Sequence, residues 1–194
     1  GAWNLDGSFT EDQFNDSFSL GANITTTGDG ITINDNVTLT ASVQLSSGAG
    51  AGTIAVNGTV SETTASTEGL TLVAGTGDVT VTGPVGSTRL GAIGITSAAD
   101  VSFTNGITAT SFGQSAGSGT TTFNGAVDLD DGAAGDIFTT TNVANVTFAN
   151  AATVTTATGG NVNLDGDDTG SLTIGTGAWN LDGSFTEDQF NDSF

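Results

Sequence analysis

The sequence contains no Cys, His, Met, Tyr or Lys, only one Pro, and a single basic residue, Arg89, against 21 acidic residues. Its formal net charge is −20 at pH 7. Without Cys there are no disulfides, so cohesion has to come from backbone hydrogen bonds and packed apolar side chains. Because binding to phosphate requires Lys and Arg, the composition predicts no nucleic-acid partner and no attraction to anionic membranes. No apolar run reaches the length of a membrane span, which predicts no membrane insertion.

The missing residue types also limit catalysis. A nucleophilic triad needs His or an equivalent base, and a polysaccharide lyase needs a basic group to accept a proton. Neither site can be built with Arg89 as the only basic residue. The composition therefore predicts a protein that is not an enzyme, with no catalytic residues and no cofactor. A paired-carboxylate glycosidase is the one catalytic arrangement left formally open.

Two acidic clusters are the candidate metal sites, because carboxylate oxygens are the ligands that Ca²⁺ prefers. Neither the EF-hand spacing nor a glycine-rich nonapeptide accompanies them. Since 17 of the 21 acids are Asp, a residue that favours turns, solvated turns are the favoured interpretation and calcium contact is the alternative. The clusters are Asp128, Asp130 and Asp131, and Asp165, Asp167 and Asp168.

A long repeat frames the chain. Residues 1–18 read GAWNLDGSFTEDQFNDSF, and residues 177–194 repeat them without a mismatch, 176 positions later. We therefore predict one tandem-repeat unit over residues 1–176 and the start of the next identical unit over 177–194. An engineered chain with a copied end is the alternative. Further copies of the unit, along or beside a fibre, are the expected partners.

A shorter motif recurs within the unit: two alternating apolar residues, a small turn, then another alternating pair. It begins, for example, with GITINDNVTLT at Gly30 and GTTTFNGAVDL at Gly119. Intervals of 20–26 residues, and one of 35 that leads into the next unit, close on the 176-residue period, which supports this register of the shorter repeats. The second apolar positions are Ile33, Val56, Val81, Phe103, Phe123, Phe148 and Ile174.

Period-two alternation predicts short strands with one buried face. Further pairs follow in most repeats, such as Val37 and Leu39 and then Val43 and Leu45. Three short strands per 20–26 residues indicate an all-β parallel β-helix, or β-solenoid, of about 7–8 turns. Equivalent residues should stack along the axis, with Phe103, Phe123 and Phe148 as an aromatic column. A tandem immunoglobulin-like sandwich is the rival architecture, but it shows no such self-similarity.

The framing repeat departs from this pattern. In SFTEDQFNDSF, Thr10 and Gln13 match a helix capping box, and Phe9 and Phe14 match a hydrophobic staple. These signals predict a short helical insertion over residues 11–17, and another over 186–193 in the second copy. An irregular loop is the alternative.

The run from Gly77 to Asp131, with segments such as GDVTVTGPVGS and DVSFTNGITAT, resembles filamentous-haemagglutinin-like and β-strand-repeat bacterial exoproteins. The resemblance extends loosely from Gly30 to Ile174. It implies secretion, a right-handed β-helix, and roles in adhesion, biofilm or cell-surface fibres. No catalytic residues carry over. The near-identity of the long repeat and the scarcity of basic residues depart from that family and favour a uniform fibre over binding to a specific receptor.

Together these features predict a structural, non-catalytic segment of a long extracellular filament or cell-surface fibre. The alternative function is the stalk or arm of a large secreted adhesin, stiffened by calcium. In that case the surface or glycan contacts would lie elsewhere in the full chain.

Overall fold

The computed structural model describes residues 1–12 and 17–191. Within those ranges the protein is an all-β parallel solenoid of about eight turns, with no helix and with every strand in one continuous sheet. The 21 strands, β1 to β21 in chain order, are Trp3–Leu5, Phe9–Glu11, Phe18–Leu20, Ile24–Thr26, Ile31–Ile33, Val37–Leu39, Val43–Ser46, Ile54–Val56, Val60–Glu62, Leu70–Val73, Val79–Val81, Val85–Ser97, Val101–Phe103, Ile107–Gln114, Gly117–Phe123, Val127–Leu129, Gly135–Phe148, Val154–Thr156, Gly160–Ile174, Trp179–Asn180 and Phe185–Asp188.

Each strand pairs in parallel with the strand one turn away, which sorts the strands into three ladders. The first ladder runs through β2, β5, β8, β11, β13, β15 and the final residues of β17 and β19. The second runs through β3, β6, β9, the starts of β12 and β14, β16, β18 and β20. The third runs through β1, β4, β7, β10, the ends of β12 and β14, the starts of β17 and β19, and β21.

The predicted register along the axis is confirmed. Ile33, Val56, Val81, Phe103, Phe123, Phe148 and Ile174 are successive partners in the first ladder. Val37 and Leu39 lie in the second ladder, and Val43 and Leu45 in the third. Most three-residue strands are buried at both ends and partly exposed in the middle, as period-two alternation requires. The rival sandwich architecture is thereby excluded.

The predicted aromatic column is also confirmed. The Phe123 ring stacks on Phe103 at 5.7 Å between centroids and on Phe148 at 5.1 Å. Phe112 and Phe138 from the third ladder meet the same ring edge-on at 5.2 and 5.4 Å. Five buried rings therefore meet inside the solenoid in the stacked and edge-to-face arrangements that aromatic pairs prefer.

Glycines at the corner between the first and second ladders allow the turns to stack closely. A Cβ on Gly58 would collide with the backbone at Asp35, and one on Gly83 would collide with Gly58 itself. The small turn of the recurring motif falls at this corner. At Gly58 a glycine is needed because of the approach of the neighbouring turn, since a Cβ there has no room against the backbone below it.

The helical insertion is not found where the structure describes the chain. Thr10 and Glu11 belong to β2, and Thr186, Glu187 and Asp188 belong to β21. These residues are extended because each of the two strands hydrogen-bonds in register with a strand of the adjacent turn, which outweighs the local capping signal. Residues 12, 17 and 189–191 are described and are not helical, and residues 13–16 and 192–193 lie outside the described residues.

The two copies of the framing repeat lie in different ladders. Trp3 lies in the third ladder, opposite Ile24, whereas its copy Trp179 lies in the second ladder, opposite Val154. Phe9 lies in the first ladder and its copy Phe185 in the third. Between Trp3 and its copy Trp179 the chain therefore passes through 7⅔ turns.

Candidate functional site

Arg89 and Asp128 form an ion pair on the second ladder, and Asp128 is the first of the predicted metal residues. Arg89 Nη2 lies 2.9 Å from Asp128 Oδ2, and both side chains are partly exposed. Arg89 Nη1 also donates to the carbonyl oxygens of Ala109, at 2.8 Å, and Asp128, at 3.1 Å. The guanidinium thus connects three successive turns. The sequence gives no signal for this pairing, because the two residues are 39 positions apart.

Asp130 and Asp131 form turns at the corner that follows β16. Asp130 Oδ1 accepts hydrogen bonds from the Gly132 backbone N–H, at 3.0 Å, and from the Thr158 hydroxyl, at 2.9 Å. These two donors, with a smaller contribution from the charge of Arg89, hold the pKa of Asp130 below its usual range. Asp131 Oδ1 accepts from the Ala133 N–H at 2.9 Å. Each carboxylate of this cluster therefore has its own protein donor.

Asp167 and Asp168 shape the corner between the third and first ladders. Asp167 Oδ1 accepts from the Thr169 N–H, the Thr169 hydroxyl and the Gly170 N–H at 2.9–3.0 Å. The Thr169 donors, followed by Gly170, lower the pKa of Asp167. Asp168 adopts a positive φ of 67°, and its N–H donates to the Gln189 carbonyl. Turn formation is the role of both residues in this structure.

Asp165 has a different environment. It lies opposite Asp188 in the ladder that joins β19 to β21. Burial, and then the negative charges of Asp188 and Asp168, raise its pKa. Among the described residues its Oδ1 is buried and has no hydrogen-bond partner. Sequence reasoning missed Asp188, which belongs to the framing repeat and reaches this corner only through strand pairing.

The two predicted clusters occupy different corners of the solenoid and do not form one site. Within residues 1–12 and 17–191, no group of three or more His, Cys, Asp or Glu side chains is placed to hold a metal ion.

Buried glutamates form a further functional pattern that sequence reasoning missed. Glu62 is 4% exposed; its Oε1 accepts from the Thr67 N–H, and its Oε2 accepts from the N–H groups of Glu68, at 2.8 Å, and Gly91, at 3.2 Å. Thr67 and Glu68 belong to the same turn of the solenoid as Glu62, and Gly91 belongs to the next. The carboxylate thus satisfies backbone donors of two turns at once. The sequence of the strand Val60–Glu62 could have predicted this burial, because its alternation points the Glu62 side chain inward.

Glu11 is used in the same way. It is 2% exposed and holds the first-ladder position that precedes Ile33. Its Oε2 accepts from the backbone N–H groups of Asn34, at 3.1 Å, and Asp35, at 3.0 Å, in the following turn. In the second copy, Glu187 Oε1 accepts from the Phe190 N–H at 3.2 Å. Glu11 therefore connects two turns of the solenoid, whereas Glu187 accepts within its own turn.

A shallow groove of about 310 Å³ follows the corner between the third and first ladders. Small residues such as Gly117 form most of its wall, with Asn142 and Asp167 toward one end. Asp167 is the only titratable residue among those that line it in the described part of the chain, and its Oδ1 already accepts three hydrogen bonds. The groove therefore lacks the pair of carboxylates that glycoside hydrolysis requires.

These features define a parallel β-solenoid whose acidic side chains mostly build and connect its turns. No helix in the described residues is long and apolar enough to cross a membrane. No family model matches the chain, and no match was found among curated proteins or among solved structures.

Proposed function

We propose that this chain is a structural, non-catalytic segment of a long extracellular filament or surface fibre built from tandem 176-residue units. One observation carries the proposal: both copies of the eighteen-residue framing sequence contribute strands to the same solenoid. The axis therefore continues through the repeat boundary, as a fibre made of tandem units requires. In such a protein each turn is stabilised by its neighbours, so the number of units has no intrinsic upper limit.

The roles of the charged residues support a structural function. The carboxylates of Asp130, Asp131, Asp167, Glu11 and Glu62 accept hydrogen bonds that form turns or connect them. These carboxylates therefore stabilise the turns of the solenoid. A chain with 21 acids and one Arg would also repel its neighbours in solution, which favours separate, soluble filaments.

We further propose that the solenoid is right-handed and secreted. Crossover connections between parallel strands are right-handed in about 98% of cases, for reasons of strand twist. The resemblance to filamentous-haemagglutinin-like and β-strand-repeat exoproteins supports both secretion and a location at the cell surface.

Electron microscopy of the purified full-length protein tests this function. With turns spaced about 4.8 Å apart, one unit should add roughly 37 Å along the axis. We expect unbranched filaments with the width of a single solenoid and a length proportional to the number of units. Compact globules would contradict the proposal.

An arm of a secreted adhesin, stiffened by calcium, is a second candidate. The negative charges of Asp188 and Asp168, which help to raise the pKa of Asp165, favour it, although no three acidic side chains of the described residues are placed to hold the ion. The two functions differ at the ends of the full protein. A uniform fibre shows the 176-residue period throughout, whereas an adhesin arm leads to a distinct binding domain.

A further inference from the structure

The two copies of the framing sequence are contacted by neighbouring turns on opposite sides along the solenoid axis. In the first copy, the following turn contacts the segment: Trp3 pairs with Ile24 and Phe9 with Ile31. In the second copy, the preceding turn contacts it, through Val154 opposite Trp179 and Val162 opposite Phe185. Because the two sequences are identical, both sets of contacts can be made at once by one turn inside a longer array.

The tryptophan shows what the second set of contacts adds. Trp3 is 50% exposed, and its ring meets Phe9 edge-on at 5.8 Å. Trp179 is less exposed because its ring also meets Phe148 at 4.7 Å, at the upper end of the aromatic column. The preceding unit therefore supplies the cover that the first tryptophan lacks.

We infer that each repeat unit joins the preceding unit by pairing its framing segment with the strands that contain Val154 and Val162–Leu164, with its tryptophan packed on Phe148, and is thereby rotated by one third of a turn. This inference rests on the proposed tandem function and adds the geometry of the junction. The rotation follows from the ladders, since Trp3 is in the third and Trp179 in the second. A unit of 176 residues contributes 23 ladder segments, because β12, β14, β17 and β19 each belong to two ladders, and 23 is not divisible by three.

The rotation has a consequence for the surface of the filament. Each feature that occurs once per unit moves to the next face in the following unit and returns to its original face after three units. Three units contain three times 176, or 528, residues and 23 whole turns, which is roughly 110 Å at a spacing of about 4.8 Å per turn. The Arg89–Asp128 bridge and the framing segment would thus be displayed on all three faces in succession.

Cysteine crosslinking in the 194-residue chain tests the junction, and the chain has no Cys of its own to interfere. Thr155 and Asn180 are register partners across the junction, as are Asn163 and Thr186. Neighbouring strands place such partners within the Cα separation that a disulfide requires. The double variants T155C/N180C and N163C/T186C should therefore crosslink almost completely on mild oxidation.

The discriminating variant is N163C/N180C. If the unit held a whole number of turns, residue 180 would lie in the third ladder beside Asn163, as Asn4 lies beside Thr25. We expect no crosslink in this variant. A crosslink between residues 163 and 180, or failure of T155C/N180C to crosslink in chains whose circular dichroism matches the parent, would overturn the inferred junction.

The crosslinks report the rotation at the junction within a single chain. Their result does not depend on whether the protein forms filaments. Filaments without the Thr155–Asn180 crosslink would leave the fibre proposal intact and overturn the rotated junction. The crosslink in a full-length protein that forms only globules would support the junction and contradict the fibre.

Discussion

The carboxylate of Glu62 accepts a hydrogen bond from the backbone N–H of Gly91, 29 residues later and one turn further along the solenoid. The same carboxylate accepts from the N–H groups of Thr67 and Glu68 in its own turn. One buried side chain therefore connects two turns, and it shares the Gly91 N–H with the backbone carbonyl of Glu68, 2.9 Å away.

We expect Glu62→Ala to lower the free energy of unfolding by about 1–2 kcal/mol, because the N–H groups of Thr67 and Glu68 lose their side-chain acceptor while the Gly91 N–H keeps the Glu68 carbonyl. Glu62→Gln should cost less, since one side-chain oxygen remains. Urea unfolding followed by circular dichroism measures both changes. Glu68→Ala is the matched control: its carboxylate accepts only from nearby Thr hydroxyls, so its effect should stay near that of a surface change. Equal effects at the two positions would contradict the role assigned to Glu62.

Phe123 is the centre of the aromatic column, fully buried between Phe103 and Phe148. Phe123→Ala should lower the free energy of unfolding by about 3–5 kcal/mol, as expected for a large cavity in a packed core. Phe185→Ala is the control, because Phe185 is 42% exposed. Thermal unfolding should show a clear loss for the first variant and a much smaller one for the second. A comparable loss of stability in both variants would contradict a stabilising role for the aromatic column.

The Arg89–Asp128 pair should be weakly coupled and sensitive to salt. A double-mutant cycle with Arg89→Ala and Asp128→Asn should give a coupling energy of about 0.2–1 kcal/mol, because both side chains are partly exposed. Raising the ionic strength to 1 M should reduce it. The hydrogen bonds from Arg89 to the carbonyls of Ala109 and Asp128 persist in Asp128→Asn, so Arg89→Ala should be the more destabilising single change. A coupling that is unchanged at high salt would contradict an exposed ion pair.

Asp165 and Asp167 should affect the pH dependence of stability with opposite signs. The pKa of Asp165 is raised by burial and neighbouring charge, so its ionised form is destabilising at neutral pH and stability is regained as pH falls through the raised pKa. Asp165→Asn should therefore raise the melting temperature at pH 7 by about 1–2 °C, a small gain because solvent screens this corner. The gain should disappear below about pH 4, where the unfolded carboxyl is also protonated.

Asp167→Asn provides the opposite case. Hydrogen bonds lower the pKa of Asp167, so its contribution to stability is present above the unfolded pKa and is lost as pH falls through the lowered one. The variant should melt below the parent at pH 7 and approach it in acid. Melting curves from pH 3 to 8 measure both variants. Melting-temperature changes of the same sign for Asp165→Asn and Asp167→Asn at pH 7 would contradict the opposite pKa shifts of these two residues.

Chelation separates the uniform fibre from the calcium-stiffened arm. Most carboxylates of the two acidic clusters already accept hydrogen bonds from protein donors, so EDTA should leave the melting temperature unchanged within about 1 °C. Calcium at 100 times its dissociation constant would stabilise by about 2.7 kcal/mol, or several degrees. A loss of that size on chelation, restored by calcium but not by magnesium, would favour the arm.

The acidic clusters were only partly predictable. That Asp130, Asp131 and Asp167 form turns follows from residue type, since Asp favours such positions and all three are used in this way. The contacts of Arg89 with Asp128, and of Asp165 with Asp188, could not be predicted, because each joins residues from different turns. Glu62 and Glu11 were missed because acidic residues are normally exposed, although the alternation of their strands points both inward.

The sequence alone determined the ladders. Alternating apolar residues at 20–26-residue intervals leave one way to bury a continuous core, so Ile33, Val56 and Phe123 had to stack along one axis. Only the tertiary structure decided the conformation and phase of the framing segment. Strand pairing with adjacent turns outweighed the capping signal at Thr10, because ladder hydrogen bonds connect backbone groups that a short isolated helix would leave to water. The same pairing placed Trp179 one ladder away from Trp3, since phase depends on how many strands the chain forms and not on how many residues it repeats.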